Sequence, residues 1–342
     1  MKNGLLICAA LVACSLLAPT ARATPVPMLD VTELEKGAQV IVVGEVTATR
    51  EVGRTVLTLN GHETGARVME ATVRAERVLK GKPATDYAVR FYEPEADIGY
   101  DYPREGRYGL FFLKREGDSF AFVSPYYAST IAARGACESE GEPSARVAAE
   151  LTCVLRSQAA KTFDRYRAIS ALATVKTAAG TAALKSAAQG QLEPLNYIAA
   201  DELIGRGDLS LLPMAERALQ KSYDIKIDEE GFHLSTGWNS IEEISDRRAI
   251  PFLSRLVHAP DVRVRQAALR ALGHTKDAAA RAPLLEGLDD ADAGVRWYAV
   301  MAMAELAGED GEGGEWYPDF KRFEEDEGLY ITHWKAWALG TP

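Results

Sequence analysis

Residues 249–307 read AIPFLSRLVHAPDVRVRQAALRALGHTKDAAARAPLLEGLDDADAGVRWYAVMAMAELA and state one pattern twice. Pro251-Phe-Leu introduces one helix, and Pro283-Leu-Leu introduces its copy. Asp261-x-x-Val264-Arg265 opens a second helix, as does Asp292-x-x-Val295-Arg296. Ala268 and Leu272 follow Val264 at i+4 and i+8, and Ala299 and Met303 hold the same places after Val295. Val264 and Val295 are 31 residues apart. A fixed period of that length with two helical phases predicts stacked helical hairpins. Asp261 and Asp292 stand where a side-chain oxygen can cap the second helix. Val264, Ala268 and Leu272 form an apolar stripe at helical spacing, kept thin by alanine so that neighbouring helices approach closely.

These residues resemble the HEAT-like repeats of the phycobilisome lyase type, whose second helix reads D-x-x-V-R-x-x-A-x-x-A-L-G. Asp261, Val264, Arg265, Ala268, Ala271, Leu272 and Gly273 fill that pattern. The second copy keeps Asp292, Val295, Arg296, Ala299 and Ala302, then departs at Met303 and Ala304. The resemblance implies an α-solenoid in which each Arg reaches the turn Asp of an adjacent unit. It carries no reaction, because no bilin-attachment residues map onto this chain.

The period continues towards the N-terminus: Ala168 and Ala199 are 31 apart, as are Leu172 and Leu203. Ala199 and Ala268 are 69 apart, two periods plus seven. The surplus is assigned to an insertion near 223–240, where YDIKIDEEGFHLSTGW breaks the helical pattern. About five units result. After the acidic stretch Gly308–Gly314, residues 329–339 (LYITHWKAWAL) are expected to cap the stack.

Residues 24–131 read differently. A short helix is expected over Asp30–Lys36. Strands are expected at 40–49, 68–78, 87–92, 107–114 and 120–123, with 55–59 as a sixth candidate. Short strands with Gly and Pro turns predict a small antiparallel barrel. Val43-Gly-Glu-Val, Glu76-Arg-Val-Leu-Lys-Gly, Glu105-Gly-Arg-Tyr-Gly-Leu-Phe-Phe-Leu and Ser124-Pro-Tyr-Tyr resemble OB or netrin-like β-domains of bacterial exported proteins. Netrin-like inhibitors of metalloproteinases act through an N-terminal cysteine, whereas Thr24 would begin the mature chain here.

The fold class expected is therefore α+β in two domains: an OB/netrin-like β-barrel over 24–131, a linker over 132–145 and a HEAT-like α-solenoid over 146–342. Residues 1–23 read as a signal peptide: Met1-Lys-Asn, an apolar run from Gly4 to Ala18, then Ala21-Arg-Ala. Leu11-Val-Ala-Cys14 gives the alternative, a lipid anchor at Cys14. The reading favours cleavage after Ala23 and a periplasmic or extracellular location. No later segment has the roughly 18 apolar residues that span a bilayer. Cys137 and Cys153 are then an even pair in an exported chain, and a disulfide is expected. A metal site or reactive thiol is disfavoured, since no His lies within forty residues of either.

The chain carries a net charge of −10, which cleavage after Ala23 makes −12. That argues against nucleic acid and anionic membrane surfaces as partners. The five His form no HExxH, and no G-x-S-x-G, P-loop or G-x-G-x-x-G occurs. Asp289–Gly294 lacks the ligands of a calcium loop. No catalytic residue, metal or cofactor is assigned.

One pattern points to binding. Aligning units on Arg165, Asn196, Arg265 and Arg296 puts Tyr166, Tyr197, Gln266 and Trp297 at one position. That position lies about 200° from the core stripe at 100° per residue, on the face the second helices share. Tyr166, Tyr197 and Trp297 are thus the candidate anchors for a protein or peptide partner; packing between units, or under the capping helix for Trp297, is the alternative. The expected function is a non-enzymatic exported binding scaffold. Alternatives are protease inhibition by the β-domain and an envelope enzyme with a site near 223–240.

Overall fold

In the computed structural model, the strands expected at 40–49 and 55–59 are one strand, β1 (Val40–Leu59). The structure describes residues 29–59, 61–95, 100–138, 140–221, 224–226, 233–235, 239–309 and 315–340. The leader, the cleavage site and Cys14 lie outside the described residues. β1 pairs along its length with β2 (His62–Lys80), from Ile41↔Lys80 to Leu59↔His62. β2 continues to β3 (Asp86–Pro94), and the start of β1 pairs with β4 (Tyr108–Glu116). β5 (Ser119–Phe122) lies antiparallel to β4 and parallel to β3, so the order β1-β2-β3-β5-β4 returns to β1. The expectation of a wholly antiparallel sheet is corrected at β3–β5. A ring of five strands is odd-numbered, and alternating directions around it must fail once.

Two-sided burial explains why VIVV in β1 and GLFFL in β4 are unbroken apolar runs rather than alternating ones. Val40, Val42, Val46, Val73, Val89, Phe111, Leu113 and Phe122 fill the interior of the sheet. Ile41, Val43, Leu110 and Phe112 face the other way and join a core built with helices. Gly44 is required where β1 crosses β2, since a Cβ there would lie 2.1 Å from the Arg74 carbonyl oxygen.

Helix α1 (Val31–Gly37) is capped by Asp30, whose carboxylate accepts from the Glu33 N–H. Among the described residues the sheet is followed by the helix pairs α2 (Pro143–Arg156) with α3 (Thr162–Thr174) and α4 (Ala178–Ala188) with α5 (Leu195–Gly205), then by α6 (Leu212–Lys221) and α7 (Asn239–Glu242), then by the pairs α8 (Ile250–Leu256) with α9 (Val262–His274) and α10 (Arg281–Gly287) with α11 (Ala293–Ala307). A last pair, α12 (Phe320–Glu325) and α13 (Glu327–Leu339), buries Phe323, Tyr330 and Trp334 against α11 and α10.

Short 3-10 turns at Leu209–Leu211, Arg247–Ala249 and Ala278–Ala280 precede α6, α8 and α10, each following an aspartate. Asp246 and Asp277 are 31 residues apart and both cap their turns. Asp208 and Asp246 are 38 apart, so the seven surplus residues lie between them. Asp224–Lys226 and His233–Ser235 form a two-stranded antiparallel ladder there; residues 239–240 of the expected insertion begin α7, and its remainder lies outside the described residues.

The first two helical pairs and the outer face of the sheet share one core. Glu150 of α2 is fully buried beneath β2, where Arg77 Nε and Nη2 donate to its two oxygens at 2.8 and 2.9 Å. The same guanidinium donates to the Ala133 and Gly135 carbonyls. The stretch expected as a linker is thus held at its start. Cys137 and Cys153 are joined in a disulfide that fixes this stretch to α2. On α1, the Val31 N–H donates to Thr174 Oγ1 and the Thr32 hydroxyl to the Thr174 carbonyl, tying α1 to the end of α3.

Candidate partner-binding site

The repeat signature occupies the positions its chemistry requires. Asp261 and Asp292 cap α9 and α11, accepting from the N–H groups of Arg263 and Val295. Val264, Ala268, Val295 and Ala299 are completely buried or nearly so. Arg265 forks onto Asp290, Nε and Nη2 donating to its two oxygens at 2.8 and 3.0 Å, while Nη1 donates to the Ala259 and Pro260 carbonyls. Arg296 repeats the move one unit later, onto Glu327 of the closing pair and the Asp290 and Ala291 carbonyls. Each Arg therefore reaches an acid of the next unit, although the first acid is Asp290 rather than the capping Asp292.

The carboxylates respond to these donors. The Arg263 guanidinium pulls the Asp261 carboxyl below the ordinary carboxylate value, against partial burial. Burial pushes Asp290 up, but the Arg265 hydrogen bonds, the Asp292 N–H and the charge of Arg296 outweigh it, and its carboxyl too is held low. These groups hold units in register, and Arg265 and Asp290 are mostly covered by the helices they join.

The three aromatic anchors part company. Tyr197 is only 3% exposed, and its hydroxyl donates to Glu193 at 2.7 Å. Its helix, LNYIAADELIG, is mostly apolar with no single apolar stripe, and seven of its eleven residues are buried, Tyr197 among them. Tyr197 is therefore withdrawn as an exposed anchor. Tyr166 is half-buried, stacked on Phe163 with ring centroids 6.5 Å apart, and packs on the core shared with the sheet. Trp297 packs on a different core, that of the later units. No continuous stripe joins the three rings.

Trp297 does line a pocket. Its indole N–H donates to the Pro318 carbonyl at 3.0 Å, and its ring meets Tyr298 and Phe320 edge-on, with centroids 4.8 and 5.5 Å away. Around it Tyr298, Met301, Ala302 and Glu305 from α11, Arg270 from α9 and Tyr317 enclose about 190 Å³. Trp297, Met301 and Glu305 recur every four residues, so one face of α11 supplies most of the wall. Next to this wall α9 and α11 touch: a Cβ on Gly273 would stand 2.8 Å from Ala302 Cα and 3.0 Å from Glu305 Oε2. The final glycine of the repeat signature thus lets α9 approach two of the pocket's lining residues, Ala302 and Glu305. Met301 and Glu305 were legible by the angular count that singled out Trp297, continued by one and two turns. Arg270 and Tyr317 were not, since they arrive from a neighbouring helix and a loop.

The charges follow from the same packing. Arg270 Nη1 lies 3.4 Å from Glu242 Oε2. His274 Nδ1 lies 2.8 Å from the Glu242 carbonyl oxygen, which can only accept, so this nitrogen donates. On its other side, His274 Nε2 lies 3.4 Å from Glu305 Oε2.

A family model for HEAT repeats matches residues 238–310, the segment from α7 through α11 that carries the signature and, except for Tyr317, the lining of this pocket. No curated protein matches the chain. The matched segment carries HEAT repeats, and such repeats commonly mediate protein interactions. Among the described residues no helix is long and apolar enough to cross a membrane, and no group of three metal-ligating side chains occurs.

Proposed function

We propose that this protein is a non-enzymatic binding scaffold, exported from the cell, which holds a protein partner on the second-helix face of its helical stack around Trp297. The observation that carries the reading is the partly open aromatic pocket on α11, inside the segment matched by the HEAT-repeat model. The disulfide supports export, because such bonds persist in oxidising compartments. The closed five-stranded sheet supports the OB/netrin-like shape. In this reading the sheet anchors the first helices, sharing their core, and the phycobilisome-lyase-type repeats supply the surface.

The test is capture from envelope extract by immobilised protein lacking residues 1–23. Native protein is expected to retain a partner that Trp297→Ala loses by tenfold or more, an interface hot spot being worth about 2 kcal/mol. Equal capture by both, with equal melting temperatures, would move the partner surface elsewhere. Capture by neither would leave the scaffold reading without support.

A further inference from the structure

We infer that the open edge of β1 over Arg54–Thr58 pairs with the same edge of a second copy of this chain, joining two molecules about a two-fold axis at Val56. The inference is independent of the pocket around Trp297.

The edge is long and unpaired. β1 pairs with β2 as far as Leu59, but with β4 only over Val40–Glu45. Val46 still exchanges backbone bonds with Arg107 and Gly106, and the Thr49 N–H donates to Glu105. From Arg50 to Leu59, among the described residues, no second strand or loop bonds the backbone of this edge. The direction of its groups follows from the opposite strand. Gly65 turns its carbonyl away from β1 and accepts from the Glu95 N–H. The pair Val56↔Gly65 is therefore a non-hydrogen-bonded one, and Val56 points its N–H and C=O to the open side. No register shift interrupts the ladder after Gly53, so Arg54 and Thr58 point the same way.

Edge strands are normally blunted by bulges, charges or proline. β1 has such features only at the near end of this stretch, in the register shift at Glu51/Gly53 and in Arg50, Glu51 and Arg54. Thr55-Val-Leu-Thr-Leu59 has none, and Val56 is 62% exposed.

Register and charge choose the occupant. Centred on Val56, antiparallel pairing sets Val56 against Val56 and Arg54 against Thr58 on both sides. All three pairs are edge-facing and exchange two bonds each, about six in total. Centring one residue to either side leaves two such pairs before the register shift or the turn intervenes. Centring on Arg54 sets that arginine against itself, and centring on Val52 sets it against Arg50, both unfavourable. The ribbon has no net charge to hold two copies apart: Arg50, Arg54 and Arg67 balance Glu51, Glu63 and Glu70. Because both copies use the same edge, the contact closes at two molecules.

The test is sedimentation velocity of the full chain, with hydrogen exchange read residue by residue. A contact of a few strand residues belongs to the small, transient class, so the dimer is expected from about 100 µM upwards. The amides of Arg54, Val56 and Thr58 should gain protection in step with it, while those of Thr55 and Leu57, which face β2, stay unchanged. Val56→Lys should weaken the dimer by about tenfold or more with the melting temperature unchanged, since it sets two lysines against each other at an exposed position. Thr58→Lys faces Glu63 within its own hairpin, yet it sets two lysines against the two Arg54 and should weaken the dimer by about 3–10-fold. Val52→Lys lies outside the paired stretch and should leave the dimer intact. A monomer at every concentration, a dimer indifferent to Val56→Lys, or an equal loss with Val52→Lys would overturn the inference. Protection of these amides only in the presence of a partner captured from extract would give the edge to a foreign strand, and would overturn it too.

Discussion

The helical stack is closed at its two ends by different means. At the first end, α2 to α5 share a core with the outer face of a sheet, and the contact contains a buried ion pair. At the second end, α12 and α13 cover α10 and α11 with aromatic rings: Trp334 is fully buried and its indole N–H donates to the Trp316 carbonyl. The same position of the repeat behaves differently at each. Arg265 and Arg296 bind acids of the next unit, whereas Arg165 donates to the Ser157 carbonyl and leaves its Nε buried without a hydrogen bond. A repeat keeps its signature where its neighbour is another repeat. Where a sheet closes the first end, the signature thins and polar contacts particular to this chain replace it.

The first way to break this contrast is Arg77→Ala. It strands the carboxylate of Glu150, which has no exposed surface, and the carbonyls of Ala133 and Gly135 lose a donor. Removing one partner of a buried pair costs about 3–5 kcal/mol. Urea unfolding should show that loss, and hydrogen exchange should place it in α2 and β2 rather than in α11. A loss below 1 kcal/mol would mean that the sheet contributes little to closing the stack.

The second prediction concerns the disulfide. Cys137 is bridged to Cys153, 16 positions on, and anchors the stretch whose carbonyls receive Arg77. Replacing both cysteines by serine should cost about 3 kcal/mol in the loop-entropy account. The stretch and Arg77 share one network, so the double change should cost less than the sum of the two. Strict additivity would separate the disulfide from the seam.

These contrasts explain what the sequence made legible. The repeat could be read because its information is local: Asp261, Val264, Arg265 and Ala268 each act within a turn or one helix away. The pairing of Cys137 with Cys153 was readable because the choices were so few. The burial of Tyr197 was not, because angular position on a helix cannot tell an open face from one covered by other chain segments. Nor was the parallel pairing of β3 with β5, a consequence of ring closure that no single strand encodes. Arg77 and Glu150 carry no local signal of their roles; only their encounter, 73 positions apart, makes them one ion pair.

The smallest expected effects test the Arg ladder itself. Arg265 and Asp290 are 15% and 13% exposed, and two of the Arg265 nitrogens engage the two carboxylate oxygens. Arg265→Ala should cost about 1.5–3 kcal/mol, the range for hydrogen bonds to charged groups. Arg165→Ala removes one bond to a carbonyl and an unpaired buried Nε, and should cost under about 1 kcal/mol. Acid separates the two further. The folded Asp290 carboxyl titrates below its unfolded value. Its contribution is therefore complete above the unfolded carboxylate range, near about pH 4, and is lost as pH falls through the folded value. The gap between native protein and Arg265→Ala should be widest at neutral pH and should close below about pH 4. The gap for Arg165→Ala should stay level, because a carbonyl does not titrate. A gap for Arg265→Ala that stays level to pH 2.5 would show that its value lies in the Ala259 and Pro260 carbonyls. The bond to the next unit would then be incidental, and the two ends of the stack would differ less than their hydrogen bonds suggest.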